Sequence, residues 1–276
     1  MRATGPTEAV LETTRDLDQR GVAEILSAIH GEDHSAWLAV GKVLPQLAEA
    51  VDVLTCTLAG GGRWFNAGAG TSGRMGTLDA AEVPPTFGMR EGCVQAVIAG
   101  GPRALTRAVE GAEDDAQAGA FELRERGLAA GDALLALSAS GTTPFTLGCL
   151  EAAHEVGART IALTCDPNSP LAEAAEISIA PLVGPEVIAG STRMKGGLAQ
   201  KMVLHLLSTT VMVRLGCVSG NLMTHLRPAS AKLRDRAERI VQMLSNVDAA
   251  QAARLLDAAD GDTEGAVALA RRQAGQ

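Results

Sequence analysis

Two short stretches of the chain combine glycine and hydroxyl side chains in a way suited to holding an anion. The first is Gly68-Ala69-Gly70-Thr71-Ser72-Gly73 and the second is Ser138-Ala139-Ser140-Gly141-Thr142-Thr143. Glycine lets a ligand approach the backbone, and hydroxyls and helix N-terminal N–H groups donate hydrogen bonds to a dianionic phosphate. The same residues also suit ordinary strand-to-helix turns with Ser and Thr caps. Two such loops at equivalent places weigh the readings about evenly. The first loop matches Gly-x-Gly-x-x-Gly, but the next predicted strand ends in Ala99-Gly100-Gly101, with no Asp or Glu placed for a ribose. A nicotinamide cofactor is therefore not expected. No Gly-Lys-Ser/Thr follows either loop, so the nucleotide-triphosphate loop is absent. His30 and His34 are four apart but lack a partner motif, and no metal site is expected.

The elements that must position these loops follow from the apolar pattern. Four short apolar segments each end in small residues: Arg63 to Ala67, Val94 to Ala99, Ala133 to Leu137 and Thr160 to Thr164. A fifth, Ile177 to Ala180, runs into Pro181. Continuous apolar strands alternating with helices predict an α/β fold, a parallel sheet covered on both faces in a three-layer, flavodoxin-like doubly wound sandwich. In such a sheet, ligands bind at the carboxyl ends of the strands, where both loops fall. Helices are predicted over about Leu44 to Leu58, from near Ser191-Thr192, and over Lys232 to Leu244. Beyond Asn246, Asp248 and Asp262-Thr263 can each cap a helix and Gly261 separates them, which predicts a small helical C-terminal appendage. The expected division is an N-terminal helical segment 1–43, a sugar-phosphate domain 44–245 and a helical tail 246–276.

Composition narrows the function classes. Of 276 residues, 46% are hydrophobic but only 2% aromatic, with no Tyr, so a large core must be aliphatic and platforms for stacking bases are nearly missing. The net charge of −8 argues further against a nucleic-acid partner, though not against a small anion in a locally positive pocket. The N-terminus lacks an apolar leader-like stretch, and Leu198 to Leu215 is interrupted by Gln200, Lys201, His205, Ser208 and Arg214. A cytoplasmic protein without a membrane span is expected. Cys56, Cys93, Cys149, Cys165 and Cys217 are scattered singly, as reduced and mostly buried thiols would be.

The pattern Ser-x-Ser-Gly-x-Thr at Ser138 to Thr143 resembles the phosphate loop of sugar isomerase (SIS) domains. Longer stretches narrow the likeness. They are the run from Gly68 to Gly76, Leu78-Asp79-Ala80-Ala81-Glu82-Val83-Pro84-Pro85, Ala108 to Asp114, Gly184 to Lys195 and Gly220-Asn221-Leu222-Met223. Together they resemble the N-acetylmuramic acid 6-phosphate etherase family, from about Thr7 to the C-terminus.

That resemblance implies a lyase that removes a D-lactyl ether from an amino-sugar phosphate, without a cofactor. It implies a small-molecule sugar-phosphate substrate, a homodimer, and sites near its interface. Thr71, Ser72, Gly73, Ser138, Ser140 and Thr143 would hold the 6-phosphate. Glu82 and Glu113 would be the catalytic acid and base, with Glu82 as acid and Glu113 as base. By residue type alone, Glu113 reads as part of a solvated acidic run and Glu82, beside two prolines, as a helix end. Arg193 and Lys195 would bind the lactyl carboxylate or the phosphate, or lie on the surface, and Glu186 would touch sugar hydroxyls. Thr142 stands where the family usually carries Arg, and Thr224 to Pro228 departs from its usual run. A non-catalytic sugar-phosphate sensor and an aldose–ketose isomerase are the alternatives.

Overall fold

The computed structural model describes residues 5–225, 228 and 230–274. Five parallel strands form one sheet: β1 (Trp64–Gly68), β2 (Val94–Ile98), β3 (Ala133–Leu137), β4 (Arg159–Leu163) and β5 (Ile177–Ile179), in the order β2-β1-β3-β4-β5. The chain starts in the middle, steps once to β2, then reverses toward β5. That doubly wound order places a crevice at the β1/β3 switch, where Gly68 pairs with Leu137 and both hydroxyl loops begin. All five residues of β1 and of β3 are buried, as strands covered on both faces require.

On one face, Phe65, Ala67, Leu134, Ala136 and Ala162 join Leu123 of α4 (Ala116–Glu125) and Phe145, Cys149 and Ala153 of α5 (Pro144–Val156) in one cluster. The two helices touch backbone to backbone: a Cβ at Gly119 would lie 2.1 Å from the Phe145 carbonyl, and one at Gly148 2.0 Å from that of Ala116. The opposite face receives α3 (Gly70–Phe87), whose Gly76 packs on Asn66 and Leu137. Gly76 also accepts a hydrogen bond from the Asn66 amide at 3.0 Å. α2 (Leu44–Ala59) lies against β1, β3 and β5, and buries Leu47, Ala50 and Leu54. The remaining elements are α1 (Val22–Lys42), the short α6 (Pro170–Ala174), α7 (Lys195–Arg214), α8 (Ala231–Ser245), α9 (Ala249–Ala258) and α10 (Thr263–Gln273).

At the amino ends of β1 and β3, Asp132 is buried and ties the two strand entries together. Its carboxylate accepts from the N–H groups of Arg63 (2.7 Å) and Ala129 (3.0 Å) and pairs with the Arg63 guanidinium at 2.6 Å.

The chain divides into two compact units, Met1–Ala80 with Gly92–Val211, and Ala81–Glu91 with Met212–Gln276. The first division falls inside α3, where Pro84 and Pro85 have no N–H to offer the carbonyls of Ala80 and Ala81. In the second unit, α8, α9 and α10 share a cluster of Ala237, Val241, Ala252, Leu255, Leu256 and Val267. α9 and α10, which fall in the segment set apart in the sequence as a tail, thus pack with α8. Asp248 and Asp262 cap α9 and α10, accepting from Gln251 N–H at 2.7 Å and Gly265 N–H at 3.1 Å. Among the described residues no helix is long and apolar enough to cross a membrane. Leu226 and Arg227, part of the segment in which the sequence departs from its family pattern, lie outside the described residues.

Candidate active site

The second loop leaves β3 as a chain of hydroxyls. Ser138 Oγ accepts the Gly141 N–H at 3.0 Å and shares hydrogen bonds with Thr143 Oγ1 at 2.8 Å and Ser140 Oγ at 3.4 Å. Ser140 Oγ shares a further one with Thr142 Oγ1 at 3.0 Å and accepts the Thr142 N–H at 3.3 Å. Gly141 has φ +67°, and a Cβ there would meet Ser169 Oγ at 2.0 Å, so the turn admits no side chain. Thr143 precedes α5, whose first residue is Pro144, yet its side chain caps nothing in that helix. The hydroxyl is spent on Ser138 instead. Ser140 and Thr142 line a cleft of about 730 Å³, whose other walls include Thr7, Glu8, Asp166 and Asn168.

The first loop turns tightly out of β1 into α3. Gly73 N–H bonds the Ala69 carbonyl at 3.1 Å, and a Cβ on Gly73 would lie 2.6 Å from both the Gly68 carbonyl and Ile98. Ser72 is buried beside it. Arg74, given no role of its own in the sequence, donates to the carbonyls of Ala104 at 2.9 Å and Arg107 at 3.3 Å. It thereby holds the 101–107 segment against the loop. A recess of about 180 Å³ opens between them, lined by Ala69, Gly70, Arg74, Glu110 and Glu113 among others. Glu113 sits in a single turn, Ala112–Asp114, and is exposed. The acidic run is solvent-exposed at Glu110, Glu113, Asp114 and Asp115, but it is not one helix face. Asp115 caps α4, accepting from Ala118 N–H at 2.9 Å, while Glu110 and Glu113 border the recess.

A third component lies at the start of α7. Glu186 is fully buried, and its two oxygens accept the N–H groups of Lys195 and Gly196, each at 2.9 Å. Lys195 is 2% exposed and forms an ion pair with Glu32 of α1. The surface reading of Lys195 does not hold. Arg193 is exposed and makes no ion pair among the described residues. Burial pushes the Cys165 thiol up to about 12, and the Glu186 carboxylate adds to the shift. Glu32 was missed in the sequence because it lies 163 positions from its partner.

Glu82 lies on α3 in the segment assigned to the second unit, and is exposed. The helix does not end beside it: α3 runs on through both prolines to Phe87 and stops where Gly88 takes φ +65°. Among the described residues no group of three His, Cys, Asp or Glu is placed to hold a metal ion. His34 stacks on Trp37, with ring centroids 5.7 Å apart.

Comparison with known proteins gives three kinds of likeness. The glucokinase regulatory protein N-terminal SIS domain model matches residues 46–154, and the SIS domain model matches residues 117–210. The N-acetylmuramic acid 6-phosphate etherase of Pectobacterium atrosepticum is 48% identical over 256 residues, covering 93% of this chain and 84% of that protein. The protein of the same name from Symbiobacterium thermophilum is 48% identical over 261 residues, covering 95% and 87%. Among solved structures, a phosphoheptose isomerase from Francisella tularensis superposes with a TM-score of 0.55 at 21% identity, covering 70% of this chain and 98% of that one. This last likeness speaks to the fold.

Proposed function

The chain belongs to the N-acetylmuramic acid 6-phosphate etherase family, and we propose that it performs that reaction with the two hydroxyl loops as its phosphate site and Glu82 and Glu113 as its acid and base. It is a carbon–oxygen lyase. The sensor and isomerase alternatives lose ground to the names its curated relatives carry.

The chemistry requires two proton-transfer groups. When the sugar ring opens, the aldehyde acidifies the proton at carbon 2. One carboxylate removes that proton. A carboxylic acid gives a proton to the ether oxygen at carbon 3, and D-lactate departs. Water then adds across the unsaturated aldehyde with the two groups in reversed roles, giving N-acetylglucosamine 6-phosphate. No electron leaves or enters, so the carboxylates suffice.

The observation that best supports the site is the recess that joins Glu113 to the first loop at Ala69 and Gly70. A base there lies within the same pocket as the loop that would grip the phosphate. Glu110 borders that recess too. Ser72, Ser138, Ser140 and Thr143 are the proposed phosphate ligands, with Thr71 and Gly73 shaping the first loop. Exposed Arg193 is the cation proposed for the lactyl carboxylate.

The proposed setting is a cytoplasmic homodimer acting on a small sugar phosphate. The support for a dimer is the apolar surface that α1 leaves uncovered at Val22, Leu26, Trp37 and Leu38. The proposed domain division remains 44–245 for the sugar-phosphate domain, with 1–43 and 246–276 flanking it.

The test is lactate release from N-acetylmuramic acid 6-phosphate, paired with deuterium exchange at carbon 2. Glu113→Gln should lose both, and Glu82→Gln should lose lactate release while keeping exchange, each loss being about 10²-fold or more. Wild-type lactate release in either folded variant sinks the assignment of that residue. The reverse exchange pattern swaps the two roles.

A further inference from the structure

One helix start touches both hydroxyl loops. A Cβ on Gly196 would lie 3.3 Å from the Ala139 Cβ of the second loop, and one on Gly197 would lie 3.2 Å from the Thr71 methyl of the first. The first turn of α7 is therefore wedged between them at a spacing that only glycine tolerates without displacement. What fixes that turn is Glu186, through the N–H groups of Lys195 and Gly196 at 2.9 Å each. The N–H groups on either side are also satisfied: Gly197 bonds the Thr192 carbonyl at 2.8 Å and Met194 that of Ser191 at 3.2 Å. All four groups that a helix normally leaves open are thus in use. This end of α7 offers no free donors to an anion. A fully buried carboxylate with both oxygens engaged is likewise poorly placed to reach a sugar.

We propose that Glu186 is a positioning residue: it clamps the first turn of α7, and through Gly196 and Gly197 that turn sets the separation of the two loops that bind the phosphate. Glu32 completes the clamp from α1 by holding the Lys195 ammonium. The proposal rests on the reading of the loops as the phosphate site, and it assigns Glu186 and Lys195 to the frame of that site rather than to contact with substrate.

Inorganic phosphate is the probe that separates the two roles, because it reaches the loops but carries no sugar hydroxyls. Its affinity, read by phosphorus NMR titration on the resting enzyme, does not depend on turnover. Glu186→Gln keeps the shape but turns an amide N–H₂ toward a backbone N–H. The variant should weaken phosphate about tenfold and raise KM by a similar factor, with kcat within about threefold. A raised KM with unchanged phosphate affinity would mean that Glu186 touches the sugar, and would overturn the proposal. Unchanged values of both would overturn it as well.

Gly197→Ala tests the same idea with Glu186 intact, should the first variant fail to fold. Alanine favours the helix, so the melting temperature should hold or rise, while the new methyl presses on Thr71 and weakens phosphate several-fold. A merely structural role predicts no such opposition, and unchanged phosphate affinity in Gly197→Ala refutes the positioning role. Wild-type protein that binds phosphate but releases no lactate would sink the etherase reading and leave the clamp standing. Wild-type protein that binds no phosphate would sink both.

Discussion

Ser138 and Ser140 are two residues apart in one loop, and the structure gives them different work. Ser138 is 3% exposed, and its Oγ accepts the Gly141 N–H and binds the Thr143 hydroxyl. Among the described residues Ser140 bonds only its loop neighbours: the Thr142 hydroxyl and N–H, and more distantly Ser138. Ser138→Ala removes, besides the long contact to Ser140, one buried and one part-buried neutral hydrogen bond, each worth about 1 kcal/mol net. About 2 kcal/mol of stability should go, or roughly 4–8 °C in Tm for a chain of this size. Ser140→Ala removes bonds that lie at the exposed loop surface, where water replaces them, and should change stability by less than about 0.5 kcal/mol. Against substrate the order changes. A hydrogen bond from Ser140 to a phosphate dianion is worth roughly 1.5–3 kcal/mol, so its loss should raise KM about tenfold to a hundredfold. The assays are lactate release over a range of substrate concentrations and thermal unfolding by circular dichroism. An unchanged KM in Ser140→Ala removes that hydroxyl from the phosphate site. An equal fall in Tm for the two variants refutes the division of labour drawn from the hydrogen bonds.

Asp132→Ala should lower stability by about 3 kcal/mol, because it removes the anion paired with half-buried Arg63, whose guanidinium keeps the Arg126 and Gly127 carbonyls, and leaves two backbone N–H groups unpaired at the entry to the sheet. A shift in the urea midpoint equivalent to less than about 1 kcal/mol would contradict this. Of the five cysteines only Cys56 is exposed, so alkylation of native protein at pH 8 should label one site by mass spectrometry, and rapid labelling of Cys165 would refute the packing around it. The Cys165 thiol is raised from an ordinary 9.0 to about 12. Its contribution to stability is therefore complete below pH 9 and lost as pH climbs toward 12. Cys165→Ala should flatten that alkaline slope in denaturant midpoints, and an unaltered slope counts against it.

The sheet was legible because burial on both faces leaves a direct imprint. Ala133 to Leu137 is apolar without interruption and forms β3 with those bounds. Val94 to Ala99 and Thr160 to Thr164 differ from β2 and β4 by a residue at one or both ends. The order of the strands left no such imprint, since it depends on which crossovers pack on which face. The start of α7 was set too early, at Ser191-Thr192, because hydroxyls mimic caps. The chain forms the helix from Lys195 and caps it from Glu186, nine and ten positions away. Local cap patterns carry no signal for a carboxylate arriving from a separate loop.

The two carboxylates proposed as acid and base show a further limit on what spacing reveals. Glu82 precedes two prolines and Glu113 lies in an acidic run, so composition assigns each a structural task, and only likeness to a family singled them out. The clamp at α7 did leave a trace of another kind. Gly196 and Gly197 stand just inside a long helix, where each glycine costs about 1 kcal/mol relative to alanine. A chain that accepts that cost twice in succession at a helix start needs backbone closeness there more than helix strength. The structure supplies the reason, since Ala139 and Thr71 leave room for no side chain larger than a hydrogen to sit undisturbed. Paired glycines after a basic residue at a helix start thus point to a helix that abuts two loops, and the carboxylate that holds such a turn is to be sought outside the helix.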